Sequence, residues 1–284
     1  MKLYAPSTIG EIKEKYGFKL SKSLGQNFLT DKNIIDKIID ATEITDEDLV
    51  IEIGPGIGVL TKEAACLAKK VIAVEIDRNL IPILKDTLAE FDNVEIINQD
   101  VLKTDLNAVT KEAGCRRVKI IGNLPYYITT PIIMNLLEEH IQADSITIMM
   151  QKEVADRIKS GPGTKAYGAL SVAVQYYCTV STVAVVPKEV FYPVPKVDSA
   201  VLRLDIRKDK PVSLLDESLF FRCVKAGFGQ RRKTLLNSLS QLDDFSKEAI
   251  RESLLAAGID EKRRAETLSI EEFAALADEL YKRD

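Results

Sequence analysis

The sequence predicts an α/β fold: a mostly parallel, Rossmann-like sheet with an antiparallel edge strand, plus a small C-terminal helical domain. Three observations carry this. Short apolar runs alternate with stretches of helical periodicity up to about residue 150. A Gly-x-Gly-x-Gly turn joins the first of those runs to a helix, and beyond about residue 208 the periodicity is helical only. At 284 residues and 46% hydrophobic content the chain exceeds the usual single-domain size, which favours two domains over one.

Taken in order, residues 33–42 place Ile34, Ile35, Ile38 and Ile39 on one helical face. Residues 49–53 read as a buried strand, 54–58 as a turn and 60–68 as a helix. A second strand at 71–74 ends in Glu75, a helix spans 79–90, and a third strand at 94–97 ends near Asp100. The strand at 118–121 feeds Asn123-Leu124-Pro125-Tyr126, followed by a helix at 130–139 and a strand at 146–150. Two β-branched runs, 180–186 and 197–206, flank a Pro-rich loop and supply the antiparallel edge. Lys208-Asp209-Lys210-Pro211 reads as a linker, and helices are expected at 219–226, 233–239, 247–257 and 270–281. The domains are therefore expected at 1–208, with a basic N-terminal segment, and 209–284.

Composition removes several function classes. The first ten residues are polar and mixed, and no apolar run approaches the ~18 residues of a membrane span, so a cytoplasmic protein without a membrane partner is expected. Cys66, Cys115, Cys178 and Cys223 are scattered and His140 is the sole histidine, so neither a metal site nor a disulfide framework is expected. The net charge of −4 is unevenly spread: residues 1–37 carry seven Lys against four acids, and residues 203–239 carry nine basic against four acidic residues. Two basic segments flanking an acidic body fit either a phosphate-backbone footprint or ordinary solvated faces.

Glu52-Ile53-Gly54-Pro55-Gly56-Ile57-Gly58 follows a strand and opens a helix, where glycines permit tight turning and close approach of a ligand. A dinucleotide fingerprint requires a sixth-position Gly, which is Val59 here, so a nicotinamide dehydrogenase is disfavoured. The motif suits S-adenosylmethionine instead, with Gly54 and Gly56 in the turn. Glu75, at the next strand's end, is placed to accept both ribose hydroxyls, and Asp100 to accept from an adenine amino group.

Asn123-Leu124-Pro125-Tyr126 presents an amide oxygen, a turned carbonyl and a ring at the same sheet edge. An exocyclic adenine nitrogen is a poor nucleophile because its lone pair is delocalised. Two acceptors, the Asn123 side chain and the Leu124 carbonyl, can hold its N–H groups and aim the lone pair at a methyl donor. Pro125 fixes the turn and Tyr126 offers a stacking face. Phe191 is either the second face or a core plug, while Tyr127 and Tyr192 read as packing. Gln26 and Asn27 read on their own as a polar loop or a ligand contact, and Arg231-Arg232-Lys233 as a helix-starting phosphate grip or a solvated turn.

These motifs together resemble the ribosomal RNA adenine dimethyltransferase family, most closely its bacterial small-subunit branch. The likeness runs from about residue 23 to 239. It rests on Ser23-Leu24-Gly25-Gln26-Asn27-Phe28-Leu29, Asn123-Leu124-Pro125-Tyr126-Tyr127-Ile128, Pro195-Lys196-Val197-Asp198-Ser199-Ala200-Val201 and Phe228-Gly229-Gln230-Arg231-Arg232-Lys233-Thr234-Leu235. The resemblance implies a class I methyltransferase sheet and S-adenosylmethionine contacts from Gln26, Asn27, Leu29, Gly54, Glu75, Asp100 and Asn123. It implies that Tyr126 and Phe191 sandwich the target base. It further implies N6,N6-dimethylation of two adjacent adenosines in a hairpin near the 3′ end of small-subunit (16S) rRNA, within an immature subunit late in assembly and with no obligate protein partner. The alternatives are a large-subunit rRNA methylase of the antibiotic-resistance type and a non-catalytic assembly factor.

Overall fold

A computed structural model describes residues 2–21 and 24–283. Ser23, the first residue of the N-terminal motif, lies outside the described residues. In chain order the elements are α1 (Pro6–Tyr16), β1 (Phe28–Leu29), α2 (Lys32–Thr42), β2 (Asp48–Ile53), α3 (Val59–Ala65), β3 (Lys70–Glu75), α4 (Ile81–Thr87) and β4 (Val94–Asn98). There follow α5 (Leu106–Ala113), β5 (Arg117–Asn123), α6 (Thr129–Glu138), β6 (Ser145–Gln151), α7 (Lys152–Lys159), α8 (Ala169–Tyr177), β7 (Cys178–Val186), β8 (Phe191–Tyr192) and β9 (Ser199–Ile206). Four helices close the chain: α9 (Glu217–Gly229), α10 (Leu235–Leu239), α11 (Lys247–Ala256) and α12 (Ile270–Tyr281).

Seven strands form one sheet in the order β4-β3-β2-β5-β6-β9-β7. The first five pair in parallel, and β9 pairs antiparallel with β6, Met149 facing Val201. The expected antiparallel edge is therefore present, with the later strand β9 on the inside and β7 outermost. Helical cover explains why β2 does not alternate between buried and exposed positions: every residue of β2 is buried, Asp48 and Glu52 included. α2 illustrates the local logic. Asp31 caps its N-terminus, accepting from the Asn33 and Ile34 N–H groups, and Ile34, Ile35, Ile38 and Ile39 sink into a core shared with Val50, Ile121, Met149 and Val201.

Two compact units emerge, residues 1–155 with 180–206, and residues 156–179 with 207–284. The boundary is thus crossed three times rather than once near 208. Segment 156–179 joins the second unit for packing reasons. Tyr167 meets Phe228 edge-on at 5.7 Å, Tyr176 packs on Phe220 at 5.3 Å, and the Gly163 N–H donates to the Glu266 carbonyl at 2.7 Å. In the same unit Tyr176 and Tyr177 both donate to Glu217, and Lys210 lies 4.0 Å over the Tyr177 ring. Among the described residues no helix is long and apolar enough to cross a membrane. His140 sits in an exposed turn just beyond α6 with φ of 49°.

Candidate functional site

β3 and β4 extend from β2 in one direction, β5 and β6 in the other. The connections leaving β2 and β5 diverge at this switch point and open a crevice at the carboxyl ends of the strands. A cleft with about 1110 Å³ of space open to solvent occupies it, and every residue expected to hold the cofactor or the base lines this one cleft.

The glycine turn forms its floor. Gly56 has φ of +61°, and a Cβ there would stand 3.0 Å from the Phe28 ring, so only glycine lets the turn and the N-terminal motif close together. Gly122 serves β5 in another way. Its missing Cβ would lie 2.8 Å from the Ile53 carbonyl, and the close pairing of β5 on β2 brings Asn123 level with the glycine turn. Glu75 ends β3 buried, accepting from the Gly56 N–H at 3.3 Å and the Asp77 N–H at 2.8 Å; burial pushes its carboxyl up to about 7. Asp100 lies two residues beyond β4 and accepts from the Leu102 N–H at 3.1 Å, capping a short 3-10 turn.

The opposite wall is the turn after β5. Asn123 Nδ2 donates to the Asn27 carbonyl at 2.9 Å, which leaves Oδ1 as the acceptor offered to a ligand. The Leu124 N–H donates to Met149 O, while the Ile128 N–H and the Thr129 hydroxyl both donate to Pro125 O. The Leu124 carbonyl therefore has no partner among the described residues. Tyr126 is half-buried, its hydroxyl 2.7 Å from Ser199 Oγ. Phe191 is 3% exposed and packs in the core with Leu29 and Val201 while touching the cleft, so the plug and the wall are one residue. It arrives there through a small ribbon in which β1 pairs antiparallel with β8, Leu29 facing Phe191 and the Thr30 N–H donating to Val190 O at 2.8 Å.

Several features depart from the sequence expectations. Tyr127 and Tyr192 are 59% and 40% exposed, so neither is a core residue; Tyr127 lines the cleft, and the Tyr192 hydroxyl accepts from Lys13 Nζ at 3.0 Å. Arg231, Arg232 and Lys233 are exposed on a turn and do not start a helix, because α10 begins only at Leu235, after Thr234. Arg231 is tied down within its unit, donating to the Lys165 and Tyr167 carbonyls at 2.7 and 3.1 Å, whereas Arg232 and Lys233 project to solvent. Gln26 lines the cleft, but its side chain is engaged by Ser21 and Asp77.

Sequence reasoning also missed Glu52. It is 1% exposed at the cleft floor, accepts from Thr61 Oγ1 at 2.5 Å, and burial pushes its carboxyl up to about 8. An acidic residue inside an otherwise apolar strand was the available signal. No group of acidic, histidine or cysteine side chains that could hold a metal is found among the described residues.

Comparison with known proteins places this geometry. A family profile described as ribosomal RNA adenine dimethylase matches residues 17–282. A ribosomal RNA small subunit methyltransferase A from Clostridioides difficile is 58% identical over 94% of this chain and 93% of its own length. Among solved structures, a dimethyladenosine transferase from Plasmodium falciparum superposes with a TM-score of 0.74 at 28% identity, covering 88% of this chain and 95% of that one. The 23S rRNA methyltransferase ErmE superposes with a TM-score of 0.67 at 27% identity, covering 89% and 99%.

Proposed function

The chain belongs to the ribosomal RNA adenine dimethylase family, and on that premise we propose that it methylates N6 of adenosines in small-subunit rRNA, with S-adenosylmethionine as donor. The observation that carries the reading is the pair of acceptors at the cleft wall, Asn123 Oδ1 and the Leu124 carbonyl, facing a buried carboxylate across a glycine turn. The small subunit is favoured over the large by the Clostridioides relative, matched at 58% identity against 27% for the 23S enzyme.

The residues present fit the donor. Gly54 and Gly56 both hold positive φ, +69° and +61°, a backbone course that side chains disfavour, and Glu75 can accept two ribose hydroxyls once ionised. Asn27, Leu29 and Asp100 line the same space. When bound, S-adenosylmethionine supplies an electrophilic methyl group on a sulfonium. The protein's part is positioning. Asn123 Oδ1 and Leu124 O accept the two N6 hydrogens and pull the nitrogen lone pair out of conjugation, pointing it into the cleft. Pro125 holds the turn rigid, and Tyr126 and Phe191 flank the ring. Extruding a base costs a few kcal/mol, while each aromatic stack returns about 1–3 kcal/mol, so two faces roughly offset the cost. Orientation of this kind can lower the barrier by roughly 7–11 kcal/mol, and no general base is required. The N6 proton leaves to water from the alkylated nitrogen.

Unpaired adenosines in a hairpin near the 3′ end of the rRNA, presented within an immature small subunit, are the proposed substrate. Exposed Arg232 and Lys233 are proposed to contact its phosphates. Labelled S-adenosylmethionine is to be incubated with the protein and small subunits lacking the modification, beside free large-subunit RNA. Dimethyladenosine in the small subunit alone is expected. Label in large-subunit RNA would move the reading to the resistance methylases, and tight subunit binding without label to an assembly factor.

A further inference from the structure

We propose that Gln26 and Asp77 are positioning residues that orient Asn123, linking the end of β3 to the base site through the N-terminal motif. The inference rests on the methyltransferase reading above. Gln26 Nε2 donates to Asp77 Oδ2 at 2.7 Å, and Gln26 Oε1 accepts from the Ser21 N–H at 2.8 Å, so both ends of the amide are held. Asp77 is 6% exposed and is itself fixed, because its Oδ1 accepts from the Asn79 N–H and Nδ2 at 3.0 and 2.9 Å, and its own N–H donates to Glu75. The next residue, Asn27, turns its side chain back onto Gly25 O at 2.9 Å and presents its carbonyl to Asn123 Nδ2 at 2.9 Å.

That last bond selects which way the Asn123 amide faces. A carbonyl can only accept, so Nδ2 must point to Asn27 and Oδ1 to the cleft. If the segment carrying Asn27 drifts, the amide can rotate and offer a donor where N6 needs an acceptor. A carboxylate partner makes the Gln26–Asp77 bond the charge-assisted anchor of that segment. The chain of contacts therefore runs from the strand end bearing the ribose carboxylate, through Asp77 and Gln26, to the amide that receives the adenine. Gln26 acts by this route, not as a contact to the cofactor.

The test uses the full-length protein, labelled S-adenosylmethionine and unmodified small subunits, with Gln26→Ala, Asp77→Ala, the double variant and Asp77→Asn. At saturating S-adenosylmethionine, each alanine variant is expected to lose about 10- to 100-fold in kcat. KM for the subunit and Kd for S-adenosylmethionine should stay within about threefold. The double variant should lose no more than the worse single one, as for two members of one contact. Asp77→Asn keeps an acceptor for Gln26 Nε2 and should recover most of kcat, which preserves the test if Asp77→Ala does not fold. A rise of tenfold or more in Kd for S-adenosylmethionine on Gln26→Ala, with kcat unchanged, would overturn the proposal by making Gln26 a cofactor contact. Losses that multiply in the double variant would overturn it too. Inactivity of the unaltered protein would count against the methyltransferase reading instead, so the two failures are distinguishable.

Discussion

Glu52→Gln should change the pH dependence of stability in a calculable way. The Glu52 carboxyl is 1% exposed, takes one hydrogen bond from Thr61, and is raised from 4.5 to about 8 by burial, with Glu75 adding repulsion. A group whose folded pKa lies above its unfolded one holds its proton in the native state while the unfolded chain releases it. Stability is therefore fully present below pH 4.5 and is lost as pH rises towards 8. At about 1.4 kcal/mol per pH unit, the loss between pH 5 and pH 8 is about 4 kcal/mol. Glutamine keeps the Thr61 bond and cannot ionise. Relative to the unaltered protein, the variant should be equal or slightly weaker at pH 5 and about 3–4 kcal/mol more stable at pH 8. Urea unfolding of both proteins at pH 5, 6.5 and 8 measures this difference. Taking the difference also removes the contribution of Glu75, which has the same sign. A gap between the two proteins that stays constant across the three pH values would refute the buried, proton-holding carboxyl.

Three further outcomes are expected. Asn123→Ala removes an acceptor needed only as the methyl group moves, and should lower kcat by about 10²–10³-fold; filter binding should show subunit affinity within a few-fold, and equal loss of both would deny the residue a catalytic role. Glu75, held up near 7, must be ionised to accept ribose hydroxyls, so Kd for S-adenosylmethionine should fall as pH rises from 6 to 7 and level off by 8. In a titration calorimeter, Glu75→Gln should bind weakly with no such slope. Reversing Arg232 and Lys233 to Glu should weaken subunit binding and flatten its salt dependence, whereas Arg231→Ala, which frees the Lys165 and Tyr167 carbonyls, should show itself first in the melting temperature.

The parallel sheet and the cleft were legible because their signals are local. β2, β3 and β5 are built around short apolar runs, and each leads into a residue whose chemistry is visible in the letters themselves: the glycine turn, Glu75, Asn123. What was not legible depends on partners distant in sequence. β1 and β8 are two residues each and exist only because Phe28–Leu29 meets Phe191–Tyr192 across the chain. α8 reads as a plain apolar stretch until Phe220 and Phe221 cover Tyr176. The state of Arg231 could not be read either, since its partners are backbone carbonyls that carry no sequence signature. The spacing of Gln26 and Asp77, 51 residues apart, hides their contact in the same way.

The interleaved course of the chain bears on how the catalytic unit can be isolated. A stop codon after residue 206 would not yield it. The product would retain residues 156–179, whose Tyr167 and Tyr176 are 1% and 2% exposed only because segments beyond 207 enclose them. Such a fragment would display the uncovered aromatic face of α8 and its preceding loop and invite aggregation. An excision in which 156–179 is replaced by a short Gly/Ser bridge, together with removal of 207–284, is the cut that respects the way the polypeptide is threaded.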